Sequence, residues 1–398
     1  MNILVLSTKY THDDGSPWLA SELCSALSQL GHDLTVINVQ WSDMTISDFE
    51  FNKNIKFYNF KAIKIFTGYR ISTVFRWLFS SFKVLPLLFS KFLHGYKFDL
   101  LISFSPCTSL YAAIPFAKFI CKDSCLIYWD FFPIHNQEIT KKIPPFVLPI
   151  LKRIENFLIN RFARVGLMSR ANLDFFNLYF RYYKKLSIIP IWTSNLNSNI
   201  FSLRKLNSKF DALFLSDRIN YVFGGQLTNG RGVIELCLAI INAHKINNKI
   251  NLIICGSGDL KEEVLKLERC NPNVIKYLGS LSRGDYNLIL NRCDVGVVVT
   301  VSGVSSPTFP SKSLDYMAAC LPIFAALEKS SDFGSLLMSH RAGFFCDAGN
   351  IQAMTECILS LARSKFERIE MGMNGNRYLK ENHSLTKVIP LIIGDSCV

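Results

Sequence analysis

The sequence predicts an α/β protein built as two Rossmann-like halves. Three observations carry this expectation. A largely apolar run, Asn2 to Leu6, is followed by a polar loop, a helical period and a second apolar run, the strand–loop–helix–strand order of a doubly wound sheet. The same order restarts at Tyr221, beyond a polar stretch from Ser194 to Ser208 that reads as a linker. The 398 residues give room for two or three domains at about 100–200 residues each. The expected division is 1–195 and 196–398, with a cleft between the halves and ligands at the carboxyl ends of their strands.

In the first half, Asn2 to Leu6 has the continuous apolar character of a central parallel strand. The loop Thr8 to Ser16 contains Asp13-Asp14-Gly15-Ser16. The helical segment Trp18 to Leu30 places Leu19, Leu23, Leu27 and Leu30 on one stripe and stops at Gly31. Leu34 to Val39, Asp99 to Phe104, Cys125 to Trp129, Arg164 to Met168 and Leu186 to Pro190 are the further strands expected. In the second half, strand Tyr221 to Phe223 leads into the Gly-rich loop Gly224 to Gly232 and helix Val233 to His244. Strand Leu252 to Cys255 leads into Gly256-Ser257-Gly258-Asp259 and helix Leu260 to Leu267. Val274 to Tyr277, Val295 to Thr300 and Ile323 to Ala325 are the remaining strands expected.

Composition narrows the function classes. Apolar residues make up 49% and charged residues 19%, which excludes a disordered chain. The 44 basic and 31 acidic residues leave a net charge of +13. Residues 1–195 hold 22 basic and 13 acidic side chains, net +9, and residues 196–398 hold 22 and 18, net +4. The excess, mostly in the first half, favours phosphates, nucleic acid or an anionic membrane surface as partners. The 12 cysteines form no CxxC pair, so reduced thiols are expected, with no zinc-type site. Met1-Asn2-Ile3-Leu4-Val5 lacks the basic stretch and cleavage site of a signal peptide, and a cytoplasmic location is expected.

Val74 to Phe92 is the most apolar long segment, but Arg76, Lys83 and Lys91 interrupt it. Each charge near the centre of a spanning helix costs about 2.5–3.5 kcal/mol. The stretch is therefore expected to be a basic, aromatic-rich surface helix or hairpin. With Lys141 to Arg164, it predicts peripheral contact with the inner face of an anionic membrane.

Four segments of the second half then carry a resemblance. They are Phe223-Gly224-Gly225-Gln226-Leu227 with Gly230-Arg231-Gly232; Leu252 to Gly258; Val274 to Gly279 with Asp294-Val295; and Pro310-Ser311-Lys312-Ser313-Leu314-Asp315-Tyr316-Met317-Ala318-Ala319-Cys320-Leu321-Pro322. In this order they resemble the retaining, GT-B-fold glycosyltransferases of family 4. The first half adds Gly15, Gly31-His32 and Ile189-Pro190. Trp129-Asp130-Phe131-Phe132-Pro133 resembles the Asp-x-x-Pro region of members that build bacterial surface polysaccharides, including O-antigen.

The resemblance implies a nucleotide-diphosphate sugar as donor substrate, a glycan or lipid-linked oligosaccharide as acceptor, no separate cofactor and no metal. No nucleic-acid partner is expected, because the segment order points to small-molecule chemistry. Arg231 is expected on the diphosphate, which a guanidinium grips with two donors at once. Ser311 and Lys312, at a helix start, would add backbone N–H groups and a full charge. Asp315 stands where the family has a Glu that binds ribose hydroxyls. Gln226 occupies a position that is often basic, where an amide can still donate. Gly15 would let backbone approach the diphosphate, or is an ordinary turn glycine. Asp130, at the carboxyl end of a strand, and His135, five residues on, are the expected catalytic-site residues, meeting the acceptor hydroxyl or polarising the site; the alternatives are a structural cap and a loop histidine.

One position departs from the family. Its motif has two Glu eight positions apart, and eight before Asp315 lies Pro307, which offers no side-chain acceptor to a sugar hydroxyl. Backbone groups of Ser302 to Thr308 are the expected substitute. Two other readings stay open: a catalytically degenerate partner in a polysaccharide assembly complex, and a sugar-nucleotide epimerase.

Overall fold

A computed structural model describes residues 1–11, 19–40, 53–63, 76, 78–141, 143–196, 210, 214 and 217–394. The chain divides into two compact units, Met1–Trp192 with Leu385–Val398, and Thr193–Ser384.

The first unit is a seven-stranded parallel sheet. Its strands are β1 (Asn2–Ser7), β2 (Asp33–Gln40), β3 (Ile55–Lys61), β4 (Phe98–Phe104), β5 (Cys121–Tyr128), β6 (Arg164–Leu167) and β7 (Lys185–Ile188). They lie in the order β3-β2-β1-β4-β5-β6-β7. Ile3 pairs with Leu34 on one side and Leu100 on the other. All but the first residue of β1 are buried, as its apolar run requires of a strand covered on both faces. Helices α1 (Leu19–Gln29), α2 (Leu85–Leu93), α3 (Ala113–Phe119), α4 (Ile134–Thr140), α5 (Leu148–Ile159) and α6 (Arg170–Tyr179) complete this unit, together with a last helix described below.

The second unit holds a six-stranded parallel sheet, order β10-β9-β8-β11-β12-β13. The strands are β8 (Ile219–Gly224), β9 (Ile250–Cys255), β10 (Ile275–Tyr277), β11 (Val295–Val299), β12 (Ile323–Leu327) and β13 (Gly343–Asp347). Its helices are α7 (Val233–Ile246), α8 (Lys261–Cys270), α9 (Arg283–Leu290), α10 (Lys312–Ala318), α11 (Phe333–Ser339), α12 (Ile351–Ala362) and α13 (Lys365–Asn382). One core joins Tyr221, Leu252, Val295 and Phe324 of the strands to Leu236 and Ile358 of the helices.

The division at residue 195 needs one amendment. The last helix, α14 (Leu385–Ile393), does not belong with the second unit. Its Val388, Ile389 and Ile392 are buried in the core formed by Ile3, Leu23 and Leu27. The first unit therefore ends with residues from the far end of the chain, because the apolar face of α14 finds its cover there. Sequence reading also passed over β3 and β13. Both are edge strands with partly exposed, interrupted burial patterns, and such strands lack the apolar run that marks a central one.

Of the expected surface stretch Val74 to Phe92, residues 74, 75 and 77 lie outside the described residues, and the rest includes a 3-10 turn, Ser80–Val84, followed by α2. Phe89, Phe92 and Leu93 are exposed there, and Phe119 of α3 is 75% exposed. On the second stretch, Phe146, Ile150 and Phe157 are exposed on and beside α5. No helix among the described residues is long and apolar enough to cross a membrane.

Candidate functional site

The second sheet changes direction about β8, which lies between β9 and β11. In doubly wound sheets the crevice at such a switch point, outside the carboxyl ends of the strands, receives ligands. Two segments emerge there, residues 225–232 after β8 and residues 300–311 after β11. They touch. Gly232 has φ +55, and a Cβ on it would overlap the carbonyl oxygen of Thr300. Only glycine meets both the left-handed backbone and the close approach.

Lys312 begins α10 at this point. Its Nζ lies 5.9 Å from the centre of the Tyr286 ring, and its stem packs on Gly225, where a Cβ would sit 3.1 Å from Lys312 Cε. Burial lowers the Lys312 pKa; Asp315 opposes this, while Arg283 and Arg231 reinforce it. The same short reach thus gathers Lys312, Arg231, Arg283 and Asp315. A half-buried cluster with three cations and one carboxylate is an anion-attracting site.

Asp315 is held more firmly than its place in the sequence suggests. Arg283 Nη1 donates to its Oδ2 at 2.9 Å, and Nη2 pairs with its Oδ1. Arg283 opens α9, whose start is capped by Ser282 Oγ accepting from the Asp285 N–H at 3.1 Å. Arg283 is a site residue that sequence reading missed. The Ser282 cap marks the helix start, but nothing local ties that start to a residue 32 positions on.

Tyr316 locks the floor of the site. Its hydroxyl accepts from the Gly224 N–H at 3.2 Å and donates to the Val297 carbonyl at 3.1 Å. It ties α10 to the end of β8 and the middle of β11 at once. Gly256-Ser257-Gly258, a turn of nucleotide-binding appearance, serves packing here. Gly225 N–H donates to Cys255 O and Leu227 N–H to Ser257 O, both at 2.9 Å. Gly256 has φ +139 and lies against the Gly225 carbonyl.

Arg231 is the exposed member of this cluster, and Gln226 and Ser311 are exposed around it. The expectation of free N–H groups at the start of α10 holds less well. Ser313 N–H donates to Pro310 O at 3.0 Å and Leu314 N–H to Ser311 O at 3.2 Å. These i to i+3 bonds tighten the first turn and consume the donors. The Ser311 side chain makes no capping bond.

In the first unit, Asp130 is exposed just beyond the carboxyl end of β5. Ser105 Oγ accepts from the N–H groups of Trp129, at 3.0 Å, and Asp130, at 3.1 Å. The loop that carries Ser105 is fixed in turn by Glu155. This fully buried carboxylate accepts from Cys107 N–H at 2.8 Å, Thr108 N–H at 2.7 Å and Thr108 Oγ1 at 2.6 Å. Lys9, after β1, is near enough for the Asp130 charge to raise its pKa against the larger lowering by burial. His135 lies on the first turn of α4, its N–H on Phe131 O at 2.9 Å. Gly15 lies outside the described residues. No group of three or more His, Cys, Asp or Glu that would hold a metal ion is found among the described residues.

Residues 218–364 match the family model described as glycosyl transferases group 1. Over 167 residues the chain is 27% identical to the probable glycosyltransferase WbjE of Pseudomonas aeruginosa, which covers 41% of this chain and 40% of that protein. The match thus spans less than half the length of this curated relative. Among solved structures, sucrose-phosphate synthase of Thermosynechococcus elongatus aligns over 98% of this chain and 96% of its own, with a TM-score of 0.76 at 11% identity. The α,α-trehalose-phosphate synthase (UDP-forming) of Burkholderia vietnamiensis aligns over 99% of both chains, with a TM-score of 0.73 at 12% identity. HepE of Anabaena, solved in complex with UDP-glucose, aligns over 98% of both, with a TM-score of 0.67 at 16% identity. At these identities the likeness is one of fold. The chain therefore has the GT-B fold of two Rossmann-like units, and its residues 218–364 are similar to the group 1 glycosyl transferases.

Proposed function

We propose that this chain transfers a sugar from a nucleotide-sugar donor to a glycan or lipid-linked oligosaccharide in surface-polysaccharide biosynthesis, with retention at the anomeric carbon. The observation that carries the reading is the cluster of Lys312, Arg231, Arg283 and Asp315 at the switch point of the second sheet. Arg231 and Lys312 would hold the diphosphate and meet the charge that develops on it as the sugar leaves. The Asp315 carboxylate, fixed by Arg283, has about four lone-pair sites and spends two on the guanidinium. The remainder suit ribose hydroxyls. The solved complexes of HepE with UDP and with UDP-glucose support this class of donor.

On the acceptor side, Asp130 is the residue proposed at the acceptor hydroxyl, with His135 as a second candidate. The leaving phosphate is itself able to take the acceptor proton in a retaining reaction, so no separate protein base is required. The two cations serve the diphosphate in place of a metal, and chelation of divalent ions should leave turnover unchanged. We further propose peripheral membrane contact in the cytoplasm through Phe89, Phe92 and Phe119, with Lys83, Lys91 and Lys118 among them. This pairing of exposed rings with cations fits an anionic lipid surface.

The test is nucleotide release from a panel of UDP-, GDP- and TDP-sugars, with and without membrane lipid extract. Release with at least one donor is expected. If no donor is bound or cleaved, the degenerate reading replaces this one, as Gln226 and Pro307 would favour. Flotation with anionic liposomes tests the membrane contact. A chain that stays in the soluble fraction at low salt counts against it.

A further inference from the structure

Glu328 directly follows β12 and is 3% exposed. Its Oε1 accepts twice from one residue, from Thr308 N–H at 2.8 Å and Thr308 Oγ1 at 2.6 Å. Its Oε2 is buried and has no hydrogen-bond partner among the described residues. The Glu328 N–H donates to Thr300 Oγ1 at 3.0 Å, and Thr300 is the residue whose carbonyl lies against Gly232, next to Arg231. Two serines extend the brace. Ser331 Oγ donates to Thr308 O at 2.9 Å and Ser330 Oγ to Val304 O at 3.3 Å. Residues 328–331 therefore hold residues 300–308 in place between the Arg231 and Lys312 arms of the site.

Bracing alone does not call for a carboxylate. A glutamine carbonyl would accept both Thr308 bonds without the cost of burying a charge. An ionised carboxylate is an acceptor only, and buried polar atoms are nearly always paired. A filled Oε1 beside an unfilled Oε2 therefore points to a hydrogen-bond donor from outside the described residues. The group required is an O–H or N–H donor at the carboxyl ends of β11 and β12, and a sugar hydroxyl is such a donor. The missing acidic position of the sequence motif, Pro307, is the neighbour of Thr308.

We propose that Glu328 supplies the carboxylate for the transferred sugar of the donor: Oε2 accepts one sugar hydroxyl while Oε1 keeps Thr308. The inference rests on reading residues 225–232 and 300–315 as a nucleotide-sugar site. Because Oε2 is buried, the hydroxyl reaches it only as residues 300–308 yield. That segment contains Gly303 at φ +82 with open space around it.

Glu328→Gln separates the two roles, since it keeps an acceptor for Thr308 and replaces the free acceptor with a donor. The measurements are the Kd of the nucleoside diphosphate that the wild type accepts, and kcat/KM for its nucleotide sugar. Diphosphate affinity should stay within about twofold, while kcat/KM falls about 10–100-fold, the scale of a lost hydrogen bond to a charged group. In the wild type, amide exchange over residues 300–308 should change with the nucleotide sugar and not with the nucleoside diphosphate, a readout that needs no variant. An unchanged kcat/KM in Glu328→Gln, an equal loss of both affinities, or identical exchange with both ligands overturns the role of Glu328. A wild-type chain that binds no nucleoside diphosphate instead sinks the donor site itself, and this inference with it.

Discussion

Replacing Lys312 with alanine tests the donor site where its charge is most concentrated. The Nζ group is largely buried among Asp315, Arg283 and Arg231. An opposite charge at about 4 Å and an effective dielectric of about 20 contributes roughly 4 kcal/mol. Measured hydrogen bonds to charged groups contribute about 1.5–3 kcal/mol. The smaller range applies here, because burial already makes the cation costly to hold. Lys312→Ala should therefore lower kcat/KM for the nucleotide sugar about 10–150-fold. The fold should survive, because Asp315 keeps both its bonds to Arg283 and no carboxylate is left alone. The variant also relieves repulsion within the cation cluster. The assay is nucleotide release alongside a thermal melt. Wild-type kcat/KM in a folded variant would refute the reasoning, and so would a loss of activity that follows loss of fold. If the ammonium meets the diphosphate equally before and during reaction, the change appears in KM; if it meets charge that develops on leaving, it appears in kcat.

Arg283→Ala leaves Asp315 beside Lys312 without its bidentate partner, so a lowered Tm and a weaker nucleotide affinity are expected together. Calorimetry and nucleotide titration check this, and an unchanged Tm would show that the pair is mere surface decoration. Gly296→Ala places a Cβ into the Tyr316 ring, which cannot retreat without breaking its bonds to Gly224 and Val297. A cost of about 1–3 kcal/mol or more is expected in denaturant unfolding. For pH, the lowered Lys312 pKa means that the cation is lost below the ordinary lysine value of 10.5. Donor affinity should therefore fall as pH rises through that lowered value. Over the window between it and 10.5 the unfolded chain binds more protons than the folded one, so this residue's contribution to stability rises with pH. Lys312→Arg should move the alkaline loss of affinity upward if it retains binding, because a guanidinium stays charged.

Much of the fold was legible because central parallel strands leave a continuous apolar run, as in β1, β9 and β11. β3 and β13 were not, because exposed residues recur among their buried or partly buried ones and interrupt the apolar run. α14 was assigned to the wrong unit: its apolar stripe says that it is covered but not by what, and only the core around Ile3 and Leu27 answers that. In the candidate site, Lys312, Asp315 and Arg231 are expected from segments that resemble a known family. Arg283, Tyr316 and Glu328 act through partners between 19 and 92 residues away, and no local spacing encodes such pairs.

The sequence by itself determined the alternation of strands and helices, the two α/β units and the residue types at the donor segments. These follow from side-chain periodicity and turn chemistry, which are properties of neighbours along the chain. Only the tertiary structure decided that Asp315 is gripped by Arg283, that the Gly-Ser-Gly turn packs on backbone, and that a second carboxylate stands behind Thr308. Those are decided by which strand ends lie side by side, and in a parallel sheet that order is set by crossover connections rather than by local sequence.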